Sequence, residues 1–173
     1  MIYQLKELSI EKLFEVVSKS QTLRQSFDNY VWESEWDYIS EKLEVMKPAV
    51  KNYEIGLCNR NFITVSDYES FVDCARECEK MFGLHISCEK KLSQCEKLRG
   101  TNLFEHHAKA FAELWFNYEI QNVVKWCEDV SYEVYSQNHD SEIDDYLLCW
   151  AENVDYIYDD EDGSVYEPMR KVS

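Results

Sequence analysis

Apolar residues recur at helical spacing along most of this chain. Near the N-terminus, four of them share one helical face: Ile10, Leu13, Phe14 and Val17. Ser9 precedes them and can cap a helix start, because its side chain can accept a hydrogen bond from a backbone amide that the first turn leaves open. The spacing therefore predicts a first helix near 9–19.

A second stripe follows after the pattern fades between Ser20 and Asn29. Its members recur at steps of four, three, four and three: Trp32, Trp36, Ile39, Leu43 and Met46. The helix is predicted to stop at Lys47, since Pro48 disfavours helical backbone in the residue before it. The two tryptophans are interpreted as core residues rather than as a ligand platform.

The period changes to two after Asn52. Tyr53, Ile55 and Leu57 alternate with less apolar residues, and 62–65 is rich in residues that suit strands. Asn59 and Arg60 can supply a turn between the two runs. A β-hairpin is predicted near 52–65.

Two helices are predicted next. Ser66 and Glu69 fit a capping box, so a helix over 67–82 is expected, and Gly83 can take the left-handed conformation that ends it. A shorter helix over about 86–99 turns three apolar residues inward, and Gly100 ends it. Those residues are Cys88, Leu92 and Cys95.

The longest helical signal begins at Asn102, which fits a capping box with Glu105. Six residues then form a seam over five turns: Phe116, Ile120, Val123, Cys127, Val130 and Val134. An adjoining apolar stripe lies earlier in the same segment. A helix that is apolar over so broad an arc must be central to the fold.

The end of the chain predicts one more helix and a second hairpin. Ser141 can cap a helix of about 142–154, and 156–166 suits two strands joined at an Asp-Gly turn. With 173 residues and 45% hydrophobic residues, the chain is expected to form one domain over 1–173. The predicted class is α+β, mainly α-helical, with about six helices.

The charge of the chain is concentrated in one segment, 126–169. The whole chain has a net charge of −16, and this segment holds fourteen carboxylates without any Lys or Arg. They are Glu128, Asp129, Glu133, Asp140, Glu142, Asp144, Asp145, Glu152, Asp155, Asp159, Asp160, Glu161, Asp162 and Glu167. The other 129 residues carry 20 acids and 18 bases, so they are nearly balanced.

Aromatic residues are interleaved with these acids. They are Trp126, Tyr132, Tyr135, Tyr146, Trp150, Tyr156, Tyr158 and Tyr166. Disordered acidic tails are poor in such residues, so a folded surface of one sign is predicted.

This acidic surface has two interpretations. It can keep the protein soluble, because like charges repel other copies. It can also imitate a nucleic acid, since a duplex presents one charge about every 1.7 Å along its axis. Surfaces that serve solubility usually mix both signs. The absence of Lys and Arg therefore favours a basic partner, and the sign of the charge opposes direct nucleic-acid binding by this segment. Four bases elsewhere could form a minor basic strip: Lys90, Lys91, Lys97 and Arg99.

No motif in the sequence predicts catalysis or a cofactor. Zinc could be considered for four cysteines with His85, but core packing is favoured because their spacing is not that of ordinary zinc sites. These cysteines are Cys74, Cys78, Cys88 and Cys95. His106 and His107 are adjacent in a predicted helix, so at most one can face a given site. The acidic turn at 159–163 lacks the alternating ligands of a calcium loop.

The predicted location is the cytoplasm. No apolar run reaches the roughly 18 residues that cross a bilayer, and the N-terminus does not have the form of a signal peptide. Seven cysteines, an odd number, indicate reduced thiols rather than a disulfide framework.

Three short segments carry a resemblance. Tyr3–Ser9, Trp32–Trp36 and Tyr158–Tyr166 are similar to segments of small acidic phage- and prophage-encoded proteins of Firmicutes and gut bacteria. Together they cover 21 residues. The resemblance implies an origin in a mobile element, where small acidic proteins often inhibit host defence, as anti-CRISPR and anti-restriction proteins do.

The leading hypothesis is a binding protein without enzymatic activity. It is an anti-CRISPR-type inhibitor whose acidic, DNA-mimic-like surface occupies the basic nucleic-acid channel of a CRISPR or restriction nuclease in the host cytoplasm. The proposed charges are Glu128, Asp129, Glu133, Asp144, Asp145, Glu152, Asp155, Asp159, Asp160, Glu161 and Asp162. The proposed anchors are Tyr132, Tyr135, Tyr158 and Tyr166, because aromatic residues concentrate binding energy.

Two alternatives come from other classes. One is an acidic antitoxin or regulatory scaffold that binds a basic protein. The other is a metal-dependent enzyme that uses His106, His107 and nearby acids. The sequence also leaves open a homodimer formed through the aromatic surface, and it predicts no metal, cofactor or membrane partner.

Overall fold

The structure is a computed structural model that describes residues 1–138 and 140–167. It is α+β and mainly helical, which confirms the predicted class. The end of the acidic segment, from Pro168, lies outside the described residues.

Seven α-helices are assigned within the described residues. They are α1 Ile10–Lys19, α2 Gln21–Met46, α3 Tyr68–Phe82, α4 Ile86–Lys97, α5 Phe104–Phe116, α6 Asn122–Tyr135 and α7 Ser141–Asn153. A π-helical turn, Asn117–Gln121, joins α5 to α6 without a break. Apart from two 3₁₀ turns, Leu5–Glu7 and Lys47–Ala49, the described part of the chain therefore forms six separate helical stretches, in agreement with the predicted number.

Five short strands complete the fold in the described ranges. They are β1 Ile2–Gln4, β2 Val50–Glu54, β3 Phe62–Val65, β4 Ile157–Asp159 and β5 Val165–Tyr166. β2 and β3 form an antiparallel pair with Tyr53 opposite Ile63. The other sheet has the order β1-β4-β5.

The chain divides into two compact units. The first unit contains Met1–Trp32 and the chain from Cys127 onward, and the second unit contains Glu33–Trp126. The division falls inside α2 and inside α6. The prediction of a single domain over 1–173 stays a prediction.

The first unit has a core of aliphatic and aromatic side chains. Trp150 of α7 meets Phe27 of α2 edge to face, with ring centroids 5.7 Å apart. The Trp150 indole Nε1 donates to Ser26 Oγ at 3.1 Å, so the buried indole keeps a hydrogen bond. The sheet closes this unit, because Tyr3 of β1 pairs with Tyr158 of β4.

The second unit is built around Phe71 of α3. Its ring meets Phe111 and Trp115 of α5 edge to face, at centroid distances of 5.9 and 5.7 Å. All three side chains are fully buried. The predicted helix 67–82 and the first part of the long helix thus pack against each other through their apolar faces.

The helix α2 begins earlier than the sequence pattern suggested. It includes 21–29, where the apolar signal fades. Leu23, Phe27 and Val31 are fully buried there and recur every four residues. Polar residues between them hide this stripe from a window average. Trp32 and Trp36, expected in the core, are only half-buried.

Three predicted helix caps were wrong by one residue or more. The α3 cap is Asp67, whose carboxylate accepts from the Glu69 amide at 3.0 Å, rather than Ser66. The α7 cap is Asp140, which accepts from the Glu142 amide at 2.9 Å, rather than Ser141. The N-cap residue of α5 is Leu103, which has no side-chain cap, so the box predicted at Asn102 does not form; the Leu103 amide donates to Thr101 Oγ1 at 3.3 Å. At α3 and α7, the Asp carboxylate reaches the amide two residues ahead, so Asp67 and Asp140 take the role predicted for the neighbouring Ser.

A buried ion pair joins α2 to the π-helical turn in the second unit. The Lys42 ammonium donates to a carboxylate oxygen of Glu119, and the two residues are only 2% and 6% exposed. The other Glu119 oxygen accepts from the His85 amide at 3.0 Å, and the Lys42 Nζ lies 4.2 Å from the centre of the Tyr38 ring. Burial lowers the pKa of Lys42, but its contacts with Glu119 and Tyr38 outweigh this effect, so the pKa is raised. Both charges are therefore compensated.

We expect either single change in this pair, Lys42→Met or Glu119→Gln, to lower the free energy of unfolding by about 3–5 kcal/mol, because the remaining charge stays buried without its partner. The double variant should be more stable than either single variant, since no charge is then buried, and the side-chain amide introduced at position 119 could still accept from the His85 amide. Urea unfolding at pH 7 measures all four proteins. Single losses below about 1 kcal/mol, the range of exposed pairs, would contradict this interpretation.

Candidate functional site

The acids of the C-terminal segment lie on α6, on α7 and around the β4–β5 turn, all in the first unit. Ten of the fourteen are exposed: Asp129, Asp140, Glu142, Asp145, Glu152, Asp155, Asp160, Glu161, Asp162 and Glu167. The other four are half-buried: Glu128, Glu133, Asp144 and Asp159. We call the ten exposed residues the acidic surface.

Helical spacing turns the acids of α6 outward. Cys127, Val130 and Val134 are buried on one side of this helix, while Asp129 and Tyr132 are exposed on another. The same apolar period that holds α6 in the core thus fixes which acids reach solvent.

The acids of α7 divide into two groups at its ends. Glu142 and Asp144 are in the first turn, where the helix dipole favours negative charge. Glu152 is near the C-terminal end, where the same dipole disfavours it, and no basic residue lies in that last turn. The helix itself therefore gives no reason for an acid at position 152.

Two acids of the β4–β5 turn stabilise the turn through hydrogen bonds to its backbone. Asp159 Oδ1 accepts from the Glu161 amide at 3.0 Å, and Asp162 Oδ1 accepts from the Ser164 amide at 2.8 Å. The hydrogen bonds from Ser164 lower the pKa of Asp162. Gly163 has φ +74°, which suits the left-handed position of the turn. Asp159 and Asp162 each also have a structural function.

The acidic surface receives little positive charge. The α-amino group of Met1 lies 2.7 Å from Asp160 Oδ1 and 3.6 Å from Glu161 Oε1. Within 1–138 and 140–167, none of the ten exposed acids forms an ion pair with Lys or Arg. Lys12 and Lys19 of α1 instead pair with Glu15 on their own helix.

The charge is also uneven between the two units. The stretch 1–32 has four acids and four bases, while the chain from residue 127 has fourteen acids and only Arg170 and Lys171 as bases. The second unit has sixteen acids and twelve bases. The first unit therefore carries most of the net charge.

The four tyrosines proposed as anchors occupy different environments. Tyr132 and Tyr166 are 68% and 52% exposed, so their rings are accessible. Tyr158 is only 7% exposed and lies in the sheet, so its ring does not belong to the accessible surface. Tyr135 is half-buried, and its hydroxyl donates to Asp28 and lies 3.1 Å from the Arg24 carbonyl oxygen. Burial and Asp28 raise the pKa of Tyr135.

Among the exposed apolar residues of this unit, the sequence analysis did not identify Leu148. Leu148 of α7 is 42% exposed, although its neighbour Leu147 is fully buried. Its exposure could have been predicted from the sequence, because the apolar stripe of α7 includes Leu147 and Trp150 but not Leu148. This exposed leucine is accessible for an apolar contact.

The cysteines considered for zinc are part of the core of the second unit. Cys78, Cys88 and Cys95 are fully buried, and Cys74 is half-buried. Burial raises the pKa of the Cys78 thiol to about 11 and that of Cys88 to about 12. Within the described residues, no group of three or more Cys, His, Asp or Glu side chains could hold a metal ion.

The two adjacent histidines also have a local explanation. The Lys91 Nζ lies 2.8 Å from His107 Nδ1, so the ammonium donates to a neutral imidazole. Burial and the positive charge of Lys91 lower the pKa of His107. The ring of His106 meets that of His107 edge to face at 5.6 Å. The lysine thus occupies the position at Nδ1 that a metal ion would need.

None of the helices in the described part of the chain is both long and apolar enough to span a bilayer. Comparisons of the whole sequence and fold with protein-family models, curated proteins and solved structures found no match.

Salt should stabilise the first unit, because ions screen the repulsion among acids that no Lys or Arg compensates. We expect the midpoint of thermal unfolding to rise by about 3–5 °C between 20 and 500 mM NaCl at pH 7.5. Circular dichroism at both salt concentrations measures this. A fall in the midpoint would indicate that favourable ion pairs, rather than repulsion, dominate the electrostatics.

Thiol reactivity should follow burial and thiolate content. In the native protein, the exposed Cys58 and Cys149 should react with an aromatic disulfide reagent within minutes. The four buried thiols should react only after denaturation. Mass spectrometry of the labelled protein identifies the sites. Rapid labelling of Cys78 or Cys88 in the native protein would contradict their placement in the core.

Proposed function

We propose that this chain is a phage-derived inhibitor of a host defence nuclease, of the anti-CRISPR type. Its acidic surface occupies the basic channel through which the nuclease binds nucleic acid. The observation that supports this most is the exposure of ten carboxylates in one unit, none paired with Lys or Arg in the described residues.

The spacing of the acids suits a basic groove. On one helix, residues three or four positions apart have Cβ atoms about 5–6 Å apart. Asp145 and Glu152 of α7 lie seven residues apart, which is two turns, and thus face a similar direction. Carboxylates repeated on this scale can meet the Lys and Arg side chains that would otherwise bind phosphates.

The stability of the protein does not explain this arrangement. Glu152 opposes the helix dipole at the end of α7. A surface for solubility would be equally effective with both signs present and with less repulsion in the native state. A positively charged partner reduces the repulsion among the carboxylates that the isolated protein leaves uncompensated.

Exposed apolar groups add short-range contacts to this electrostatic attraction. Three candidates in the first unit are Tyr132, Leu148 and Tyr166. Charge complementarity mainly increases the rate of association, whereas buried aromatic and aliphatic groups determine how slowly a complex dissociates. The resemblance of three short segments to small acidic phage proteins adds the mobile-element origin.

A second candidate function is an acidic antitoxin or regulatory scaffold protein. The exposed Tyr132 and Leu148 favour it, because they lie on α6 and α7 and helices often dock through such residues. A small basic protein that co-purifies with the chain, and whose binding DNA does not displace, would support this function instead.

Charge reversal tests the nuclease hypothesis. We expect Asp129→Lys, Asp145→Lys and Glu152→Lys, combined in one variant, to abolish inhibition of the target nuclease. A matched control reverses three exposed acids of the second unit: Glu33→Lys, Glu41→Lys and Glu105→Lys. Both variants change the net charge equally, so only the location of the charge differs between them.

The measurement is DNA cleavage by a panel of purified CRISPR effector and restriction nucleases, with competing DNA and with 50 to 500 mM NaCl. Affinity for the inhibited nuclease should fall at least about tenfold over this range, because the contacts are electrostatic. Equal inhibition by the charge-reversed variant and the wild type would reject the mimic mechanism. Inhibition of no nuclease in the panel would argue for the antitoxin alternative.

A further inference from the structure

The β-hairpin of the second unit has an open outer edge. β3 pairs with β2 on one side, and among the described residues the sheet contains only these two strands. An edge strand carries backbone N–H and C=O groups that can pair with another extended chain. The outer edge of β3 is therefore a candidate binding site.

The register shows which backbone groups face outward. The Ser66 amide donates to the Ala49 carbonyl at 2.8 Å, so Ser66 faces β2. Orientation alternates along an antiparallel strand, and the irregularity in the register lies in β2 rather than in β3. Thr64 thus also faces β2, while Ile63 and Val65 direct their backbone groups outward.

A cleft of about 380 Å³ follows this edge. One wall consists of the consecutive residues 61–65, and none of β2 takes part. Side chains of consecutive strand residues point to opposite faces, so all four residues of β3 can border one cleft only along the strand edge. The opposite wall is α5, with Ala112 and Phe116, and Tyr68 lines the same cleft.

The cleft combines apolar and charged groups. The rings of Phe62, Tyr68 and Phe116 line it and can hold one apolar side chain. Lys109 and Glu113, one turn apart on α5, line it as well, and within the described residues neither forms an ion pair. An ammonium and a carboxylate are thus available to a ligand that carries both signs.

We propose that this cleft binds an extended peptide segment of a partner protein. The peptide adds as a third strand to β3, through the outward backbone groups of Ile63 and Val65. One of its apolar side chains lies among the rings of Phe62, Tyr68 and Phe116. It carries an acid opposite Lys109 and a base opposite Glu113.

The geometry favours a peptide over the other possible occupants. The outward N–H and C=O groups of β3 repeat every second residue, about 6.8 Å apart, as those of another extended backbone do. A compact molecule could bond to the groups of only one of these residues. A second copy of this chain fits less well, because pairing two β3 edges would bring the α5 helix of each copy into the same cleft. Addition of a strand to an exposed sheet edge is a common mode of peptide recognition. The site is in the second unit and does not depend on the function proposed for the acidic surface.

Panning provides the probe peptides. A phage-displayed library of random twelve-residue peptides is selected on the full-length chain, and the enriched sequences are synthesised. We expect them to alternate apolar with polar residues and to carry both an acid and a base. Their binding should slow the exchange of the Ile63 and Val65 amides with solvent, measured by NMR, and leave the Thr64 amide as slow as in the free protein.

Proline substitution tests which of the two outer edges of the hairpin binds the peptide. Ile63→Pro removes an outward amide of β3, and Tyr53→Pro removes one on the outer edge of β2. The two residues are cross-strand partners, so the substitutions affect the same pair. Neither amide pairs across the hairpin, and edge strands tolerate proline at such positions. Ile63→Pro should weaken peptide binding at least about tenfold, the effect of roughly one hydrogen bond, and Tyr53→Pro less than about twofold.

A charge exchange gives a second variant that leaves the strand unchanged. In the Lys109→Glu, Glu113→Lys double variant, the peptides selected on the wild type should bind at least about fivefold more weakly, while the net charge is constant. This variant and the amide exchange decide the question if Ile63→Pro does not fold. The proposal is wrong if no peptide is enriched, if the bound peptides protect amides away from β3, or if both proline variants have equal effects.

Discussion

The second unit depends on the buried ion pair of Lys42 and Glu119. A lysine and a glutamate can be buried together only if every donor and acceptor finds a partner, because an uncompensated charge in the interior costs several kcal/mol. The partners come from different parts of the chain: Tyr38 and Lys42 from α2, His85 from the start of α4, and Glu119 from the π-helical turn. The pair therefore restricts how these three segments can be arranged. The π-helical turn, an uncommon local geometry, is the segment that carries Glu119 into this position.

The first unit is governed by a different constraint, which is repulsion. Its core is ordinary, with Trp150 packed on Phe27 and hydrogen-bonded to Ser26. Its exposed charged residues, however, are mostly acids. The spacing of the buried apolar residues along α6 and α7 places these acids on the solvent side. A stable core makes such a surface possible, because the packing of the interior offsets the repulsion outside. This is the physical basis for proposing a basic partner for the first unit, while the peptide proposed for the second unit binds at the open edge of β3.

Features with a local cause were readable from the sequence. The helix α1 with its cap at Ser9, the hairpin of β2 and β3, and the end of α3 at a glycine with positive φ, Gly83, all agree with the structure. Each depends on residues a few positions apart. Cap positions were harder to assign, because Ser66 and Asp67 can both serve a helix start and differ by one residue. The strand β1 gave no signal at all, since its partner β4 lies more than 150 residues away.

The sequence by itself determined the helical class, the apolar faces of the helices and the place of the charge, because these follow from spacing and composition. Only the tertiary structure decided which side chains are accessible. Tyr132 and Tyr158 are alike as sequence features, yet one is 68% exposed and the other 7%, because β4 is covered by its neighbours. Likewise, nothing local distinguishes Lys42 or Glu119 from a charged residue in solvent. Burial and ion pairing between distant residues depend on how the helices and strands pack, and local patterns in the sequence do not predict that packing.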